Sequence, residues 1–402
     1  MSNYLLSILV PTKNRENELI YCLRSLKSLP SHLVEIIVCD NSAIDQTDLL
    51  KKENFNLNYK YHYVQGQRSV SDNFSHAVSC ASGEYITMIG DDDSVHERIA
   101  DVVGCMKLNS IDGLITEFAE YYWPGVQFKY YGEKFSGLLL VPKTARPVVK
   151  ILNASSQLSK CFSVGCTDLV LLPRMYYGIV RRVYLDQICR VAGTYIPGPS
   201  PDMANAVSLS LVMNEYLYCN IPLFIAGNSA KSAGGLGASK KHVGDLTNKP
   251  WLPTDIIEKW SKSVPKFWSG PTIWCESALK AIERMQMTDR LVEWNGHYLH
   301  AKCNVFHKEY RPEIKESYFY YKSTIASGMF SSLIKYYVAY IDIWSRRGVF
   351  FLRKIPMYIR FLPSKFEIRS ELKNIEDAGA EFSSMIEVTS IVKLLNGKRS
   401  IK

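Results

Sequence analysis

Short apolar runs alternate with amphipathic stretches over the first 90 residues of the chain. Four of the apolar runs are predicted to be buried strands: 4–10, 34–39, 59–64 and 84–89. Between them, apolar residues recur at helical spacing over 16–29 and 70–81. This order of strands and helices predicts an α/β domain with a mostly parallel sheet.

The pattern is less regular after residue 100. A helix is predicted near 202–217, followed by a loop rich in glycine, serine and lysine at 227–242. Beyond residue 250 the chain is predicted to be mainly helical. We therefore expect an N-terminal domain over 1–250 and a helical C-terminal region over 251–402.

Three polar clusters follow predicted strands, at 12–15, 40–42 and 91–93. The carboxyl ends of parallel strands meet at one edge of a sheet, where ligands bind. The clusters are therefore expected to converge.

Three consecutive aspartates after the strand at 84–89 form the most informative of these clusters. Carboxylates this close repel one another unless a cation lies among them, and carboxylate oxygens favour Mg²⁺ or Mn²⁺. Such an ion could bind a diphosphate and neutralise it as it leaves. The alternative is an ordinary turn, because aspartate is common after strands.

Three segments together resemble the donor half of family 2 glycosyltransferases with the GT-A fold. They are SILVPTKNR, EIIVCDNS and SVSDNFSHAVSCASGEYITMIGDDDS, within residues 4–95. The resemblance continues more weakly to about residue 240. It implies a GT-A type nucleotide-sugar-binding domain, with a donor-binding half over 1–100 and an acceptor-side half over 101–250.

The resemblance also implies roles for the matched residues. The implied donor contacts are Pro11, Thr12, Arg15, Asp40, Asn73, Asp91 and Asp92. Asp40 matches the acid that hydrogen-bonds the base, usually uracil. Asp91 and Asp93 match the outer positions of a DxD motif, where the last aspartate usually holds the metal. Alternatives remain open for Arg15, as a solvated charge, and for Asn73, as support for a helix start.

An inverting transfer needs a general base for the acceptor hydroxyl. Related enzymes carry this acid about 100 residues after the metal motif, and the matching segment is GPSPDMANAVSLSLV. Ser200 and Pro201 suit the start of a helix, which makes Asp202 the candidate base. Asp168 is the second candidate. The alternative for Asp202 is an acid that only favours the helix dipole.

The loop at 227–242 could order over a bound donor, and His242 could complete a metal shell. A plain surface linker is the alternative. The ten cysteines include no CxxC pair, which predicts reduced, mostly buried thiols and no disulfide or zinc framework.

Basic residues concentrate in 326–366, which carries seven of them against one acid, while the whole chain has a formal net charge of +9. Lys335, Ala339, Asp342 and Arg346 form a narrow stripe on an otherwise aromatic and aliphatic helix. This pattern favours contact with an anionic membrane surface. The alternative is a helix packed on the catalytic domain.

No signal peptide or membrane-spanning helix is predicted. The expected location is cytoplasmic, peripheral on the inner face of the cytoplasmic membrane.

These features together predict an inverting glycosyltransferase that depends on Mn²⁺ or Mg²⁺. It would move a sugar from a UDP-sugar to a glycan or lipid-linked acceptor in surface polysaccharide biosynthesis, such as O-antigen or capsule, with no nucleic acid partner. One alternative is a sugar-1-phosphate nucleotidyltransferase, although that class usually has a glycine-rich loop where PTKNR stands. The other is a non-catalytic glycan-binding or scaffold protein.

Overall fold

A computed structural model describes most of the chain. The described residues are 4–53, 55–128, 132–232, 235, 243–247, 249, 251–325, 328–358 and 365–397.

Eleven strands of the described residues form one mixed sheet. They are β1 Tyr4–Thr12, β2 Val34–Asp40, β3 Tyr59–Tyr63, β4 Gly83–Met88, β5 Ser94–Val95, β6 Gly113–Tyr122, β7 Leu138–Pro142, β8 Val149–Asn153, β9 Gly178–Arg181, β10 Glu215–Asn228 and β11 Phe366–Arg369.

Helices cover both faces of the sheet and build the region after residue 250. They are α1 Glu16–Ser25, α2 Thr47–Lys52, α3 Val70–Cys80, α4 Ile99–Leu108, α5 Ala154–Ser163, α6 Arg182–Ala192, α7 Pro201–Val212, α8 Ile256–Lys259, α9 Gly270–Arg284, α10 Gly296–Phe306, α11 Arg311–Thr324, α12 Met329–Tyr358, α13 Ile375–Met385 and α14 Val388–Gly397, with 3-10 helices at Thr288–Glu293 and Lys308–Tyr310.

The N-terminal part of the sheet is parallel, as predicted. β1 pairs in parallel with β2 and β4, and β2 pairs in parallel with β3. Side chains alternate between the two faces: Leu6, Ile8 and Val10 join the core that includes α1 and α4, whereas Leu9 joins the core that includes α3. This alternation places successive residues of each strand on opposite sides of the sheet.

The rest of the sheet is largely antiparallel, which the sequence pattern did not show. β9 is antiparallel to both β4 and β6, and β7 is antiparallel to β6 and β11, while β10 runs parallel to β6. The helix predicted near 202–217 ends at Val212, and β10 begins at Glu215. β10 also extends into the predicted loop, as far as Asn228.

The end of the chain packs on the N-terminal core. β11 adds a strand beside β7, α13 packs on α1, and α14 packs on α4. Phe382, Ile391 and Leu395 are fully buried in that core. A second core lies among α5, α7, α9, α10 and α11. Residues 366–397 therefore belong with the sheet, although they lie in the C-terminal region of the predicted division.

Candidate active site

The ends of β1, β2 and β4 meet, so the three predicted polar clusters lie together. The Thr12 hydroxyl donates to Asp91 Oδ2 at 2.6 Å. The backbone N–H of Asn14 donates to Ser42 Oγ at 2.7 Å, and that of Asn41 donates to the Thr12 carbonyl at 3.1 Å. These bonds fasten the loop after β1 to both neighbouring strand ends.

Arg15 neutralises two of the three aspartates. Its guanidinium lies 2.5 Å from Asp91 Oδ1 and 2.7 Å from Asp92 Oδ2, and it also donates to Ser229 Oγ. The Arg15 side chain is only 16% exposed, so it is not a solvated charge. Burial lowers the pKa of Arg15, but the carboxylates of Asp91 and Asp92 raise it by a larger amount. The pKa of Arg15 is therefore above its usual value.

The charge of this cluster is not balanced. Burial raises the pKa of Asp91 to about 8, even though Arg15 opposes the shift. Burial, with a contribution from the Asp92 charge, raises the pKa of Asp93 to about 7. Three acids face one arginine, and both raised pKa values show that further positive charge would be favourable here.

Asp93 is held differently from its two neighbours. It is fully buried, and four donors point at its carboxylate: the backbone N–H groups of Gly90 at 2.5 Å and Gly227 at 2.7 Å, and the hydroxyls of Tyr177 at 2.7 Å and Tyr176 at 3.2 Å. Four hydrogen bonds leave little capacity for a metal. In this structure Asp93 is a buried acceptor, and its role as the main metal ligand stays a prediction.

Asp92 has the accessible oxygen of the group. Its Oδ2 accepts from the backbone N–H of Ser229 at 3.1 Å and pairs with Arg15, whereas its Oδ1 has no hydrogen-bond partner among the described residues. A Cβ on Gly227 would lie 1.8 Å from the Asp92 carbonyl oxygen. Only glycine permits this approach of β10 to the acidic turn.

Asp40 and Asn73 lie at the end of β2, and both are buried. Asp40 Oδ1 accepts from the backbone N–H of Ser42 at 2.7 Å and from its hydroxyl, and Oδ2 accepts from the Tyr61 hydroxyl at 2.7 Å. Direct contact of Asp40 with a base, as expected from the sequence, requires Ser42 or Tyr61 to move. The Asn73 amide donates to the Cys39 carbonyl at 3.0 Å, so it holds α3 to β2.

Asp202 lies in the first turn of α7, as predicted, with Pro201 at the first helical position. It is half-buried, and among the described residues no other side chain hydrogen-bonds to its carboxylate. Burial raises the pKa of Asp202 to about 6, and the nearby Arg174 charge opposes this shift. Burial raises the pKa of Tyr176, and the charges of Asp93 and Asp202 add to this shift, so Tyr176 is within electrostatic range of both carboxylates.

Asp168 is on the surface. It is exposed, and its Oδ1 accepts from the Val170 backbone N–H at 2.8 Å in a local turn. His242, the predicted metal ligand of the loop at 227–242, lies outside the described residues. Pro11 is buried in β1 opposite Cys39 and contributes shape rather than hydrogen bonds.

Several residues of this site were not predicted from the sequence. Tyr176, Tyr177 and Arg174 precede β9, which the sequence pattern did not indicate. Gly227 and Ser229 fell at the start of the predicted glycine-rich loop, where nothing linked them to the aspartates. The run RMYYG, residues 174–178, does not by itself indicate a functional site, because neighbouring tyrosines also occur in protein cores.

Comparison with known proteins gives one family match. Residues 7–162 match the model of glycosyl transferase family 2. This range contains the three strand-end clusters and Asn73, and ends before Asp202. The chain matches no curated protein sequence.

Several solved structures resemble the chain at low identity. The S. aureus TarS structure has 15% identity and a TM-score of 0.42, covering 78% of this chain and 54% of that one, so the chain spans about half of that protein's length. A crystal structure of S. aureus TarS 1-349 in complex with UDP-GlcNAc has 15% identity and a TM-score of 0.45, covering 78% of this chain and 89% of that one. Glucosyl-3-phosphoglycerate synthase from Mycobacterium tuberculosis, in complex with Mn2+ and UDP, has 17% identity and a TM-score of 0.28, covering 45% and 58%.

Proposed function

We propose that this chain, whose residues 7–162 match the model of glycosyl transferase family 2, is an inverting, metal-dependent enzyme that uses a UDP-sugar. The proposed acceptor is a glycan or lipid-linked saccharide in surface polysaccharide biosynthesis. The observation that carries the proposal is the placement of Asp91 and Asp92 at the meeting point of three strand ends, with the Asp202 carboxylate in electrostatic range of Tyr176, which donates to Asp93.

The donor diphosphate is proposed to bind beside Asp91 and Asp92. A pyrophosphate brings negative charge, so it needs a cation at this acidic turn and can use Arg15 once that side chain leaves the aspartates. The available metal ligands are carboxylate oxygens, which suit Mg²⁺ or Mn²⁺. Asp92 Oδ1 and the Asp91 carboxylate would hold the ion, which would neutralise the leaving diphosphate when bound.

Uridine is the proposed base because the site contains Asp40, a carboxylate that can accept from the base N3–H. Its hydrogen bond with Tyr61 would have to yield to that contact. The proposal therefore predicts that UDP binding changes the environment of the Tyr61 ring, which near-ultraviolet absorbance can follow.

Asp202 is the proposed general base. A base must be ionised to accept the proton of the acceptor hydroxyl, and a pKa of about 6 leaves most Asp202 ionised at pH 7 while keeping it more basic than an exposed aspartate. The lack of other side-chain partners leaves its oxygens available. The positive charge of Arg174 lowers the pKa of Asp202 and so favours its ionised form.

Thermal stabilisation tests the donor class. The intact protein is heated with UDP, GDP or CMP, each with and without Mn²⁺, and with the corresponding sugar nucleotides. We expect the largest shift with a uridine nucleotide and Mn²⁺, and a much smaller shift with the Asp92→Asn variant. A larger shift with GDP or CMP, or an equal shift without metal, would contradict the proposed donor site.

The helix α12 supports the proposed membrane contact. Its buried apolar residues, among the side chains that the structure describes, are Ala339 and Ile343, which pack beside Tyr298 of α10. Asp342 accepts from the Tyr298 hydroxyl at 3.0 Å. The central residues of the predicted polar stripe, Ala339 and Asp342, therefore face the protein. The apolar face is exposed, with Val338 61% and Ile341 67% accessible.

The apolar residues exposed along α12 are Phe330, Leu333, Ile334, Tyr337, Val338, Tyr340, Ile341, Trp344, Val349, Phe350, Phe351 and Leu352. A contiguous apolar surface of this extent is unusual on a soluble protein and suits an interface with lipid. Within the described residues, no helix is long and apolar enough to cross a bilayer. Arg360 and the side chains of Arg353 and Lys354, part of the predicted basic cluster, lie outside what the structure describes.

Vesicle co-sedimentation tests the membrane proposal with the full chain. We expect binding to vesicles containing anionic lipid, weaker binding to neutral ones, and partial release by salt, because screening shortens the range of the attraction. Ile341→Asp should reduce binding, and Val292→Asp, at an exposed site outside α12, is the control. No binding to anionic vesicles at low salt would remove the membrane proposal.

A further inference from the structure

A group of sulfur and nitrogen ligands lies on the sheet face covered by α3, one residue before Asp40. Cys39 of β2 is fully buried there, and His76 and Cys80 lie one helical turn apart on α3. One ligand atom from each of the three residues lies within 4.8 Å of the other two. The Cys80 sulfur is 3.7 Å from His76 Nε2.

A fourth candidate ligand lies beside this group of three. His62 of β3 is the direct partner of Cys39 across the parallel strands, so the two side chains leave the sheet on the same face. The His62 ring lies 6.2 Å from the His76 ring, centre to centre. Its Nε2 is buried and has no hydrogen-bond partner among the described residues. A buried imidazole nitrogen without a partner is costly unless a ligand satisfies it.

From this geometry we propose that Cys39, His62, His76 and Cys80 bind a structural Zn²⁺ ion. Two thiolates and two imidazoles are a ligand set that zinc prefers, in a closed tetrahedral site. Bond lengths of about 2.3 Å to sulfur and about 2.0–2.1 Å to nitrogen give an S···N edge of about 3.6 Å. The 3.7 Å between Cys80 and His76 matches this edge.

This site is distinct from the acidic turn in chemistry and in purpose. Its sulfur and nitrogen ligands select zinc, whereas the carboxylates of Asp91 and Asp92 select hard cations. Zinc would join β2, β3 and α3 at the point where Asp40 ends β2 and Asn73 donates to the Cys39 carbonyl. The ion would thus hold one wall of the proposed donor pocket, without contact with the donor. A zinc ion at Cys39 and Cys80 would also revise the expectation, made from the sequence, that the ten cysteines form no zinc site.

Metal content of the purified full chain tests the proposal. We expect about one zinc per chain after dialysis, and none in the His76→Ala, Cys80→Ala double variant. Cys189→Ala, which changes another half-buried thiol, is the matched control and should keep its zinc. Retention of full zinc content by the double variant would overturn the assignment.

A second measurement covers variants that fail to fold. The wild-type protein is stripped of metal and titrated with Co²⁺, which should give the strong visible bands of tetrahedral cobalt with thiolate ligands. Zn²⁺ should then displace the cobalt. Absence of these bands while a thiol assay still finds ten free thiols would overturn the proposal, as would a Cys39–Cys80 disulfide in peptides mapped from freshly purified protein.

Discussion

Replacing Asp202 with asparagine separates its chemical role from its structural one. The change keeps the shape of the side chain but removes its basicity, so turnover should fall roughly 10²–10⁴-fold, the usual contribution of general acid–base catalysis. Affinity for UDP should change little, because the proposed nucleotide contacts lie at the ends of β1, β2 and β4. In the unaltered enzyme, kcat/KM should rise about tenfold per pH unit up to about pH 6 and then level, because only ionised Asp202 accepts a proton.

The same substitution should stabilise the fold at neutral pH. The pKa of Asp202 is raised from 3.8 to about 6, so the folded protein holds this proton more tightly than the unfolded chain does. The stability that this bound proton contributes is therefore fully present below about pH 4 and is lost as the pH rises through 6. At about 1.36 kcal/mol per pKa unit, the ionised Asp202 costs at most about 3 kcal/mol at pH 7.5.

The gain from asparagine should be smaller than this limit. The Asp202 charge favours the charged form of Arg174, and the variant loses this interaction. Asp202 is also only half-buried, so solvent screens part of the effect. We expect the unfolding midpoint in urea to rise for Asp202→Asn at pH 7.5 and to converge with that of the unaltered protein near pH 4.

The assay measures UDP release with saturating donor and sub-saturating acceptor from pH 5 to 8, which gives kcat/KM for the acceptor, and urea unfolding is measured at pH 7.5 and at pH 4. Asp168→Asn is the matched control, since Asp168 is an exposed aspartate outside the site. Near-normal turnover of Asp202→Asn, or a pH profile that keeps its rise below pH 6 in that variant, would refute the role as base. A loss of turnover in Asp168→Asn alone would move the base there.

Further predictions concern the acidic turn. Asp92→Ala should remove the Mn²⁺-dependent part of UDP binding in calorimetry with little loss of stability; retention of that part would contradict our placement of the metal. Asp93→Ala should lower the free energy of unfolding by about 2–4 kcal/mol in urea, because four buried donors lose their acceptor; unchanged stability would contradict the structural role. Gly227→Ala should destabilise the protein, because the new Cβ would lie 1.8 Å from the Asp92 carbonyl oxygen, whereas the Cβ of Gly104→Ala would have its nearest neighbour at 4.0 Å and should be tolerated. Equal midpoints of thermal unfolding for the two variants would contradict this packing.

The parts predicted correctly from the sequence have simple periodic patterns. β2 is buried along its whole length and appears in the sequence as a short, mostly apolar run. α3 presents Ala77 and Val78 to the sheet, and its apolar residues recur at helical spacing. β6 and β10 escaped prediction because their sequences, GLITEFAEYY and EYLYCNIPLFIAGN, mix buried apolar residues with half-exposed tyrosines and acids. Their strand character comes from pairing with each other, a long-range contact that no local pattern contains.

The acidic turn shows a second reason why prediction stops short. The motif DDD locates the site but does not distinguish its three carboxylates. Their difference arises from Gly227, Tyr176 and Tyr177, which come from distant parts of the chain and saturate Asp93. Only the tertiary structure shows that Asp92 retains an open oxygen, so the choice of metal ligand could not be made from the sequence.

The position of α12 in the chain gives the proposed membrane contact a structural consequence. The chain enters this helix from α11, which belongs to the second core, and after it joins β11 and the N-terminal core. The helix itself packs on α10 through Ala339 and Ile343. A lipid surface bound by the exposed face of α12 would therefore be held by both cores rather than by a loose tail. Removing α12 from the chain interior should consequently disturb β11 and α13 as well, so single substitutions such as Ile341→Asp, which leave the buried stripe intact, are the sharper way to separate membrane contact from folding.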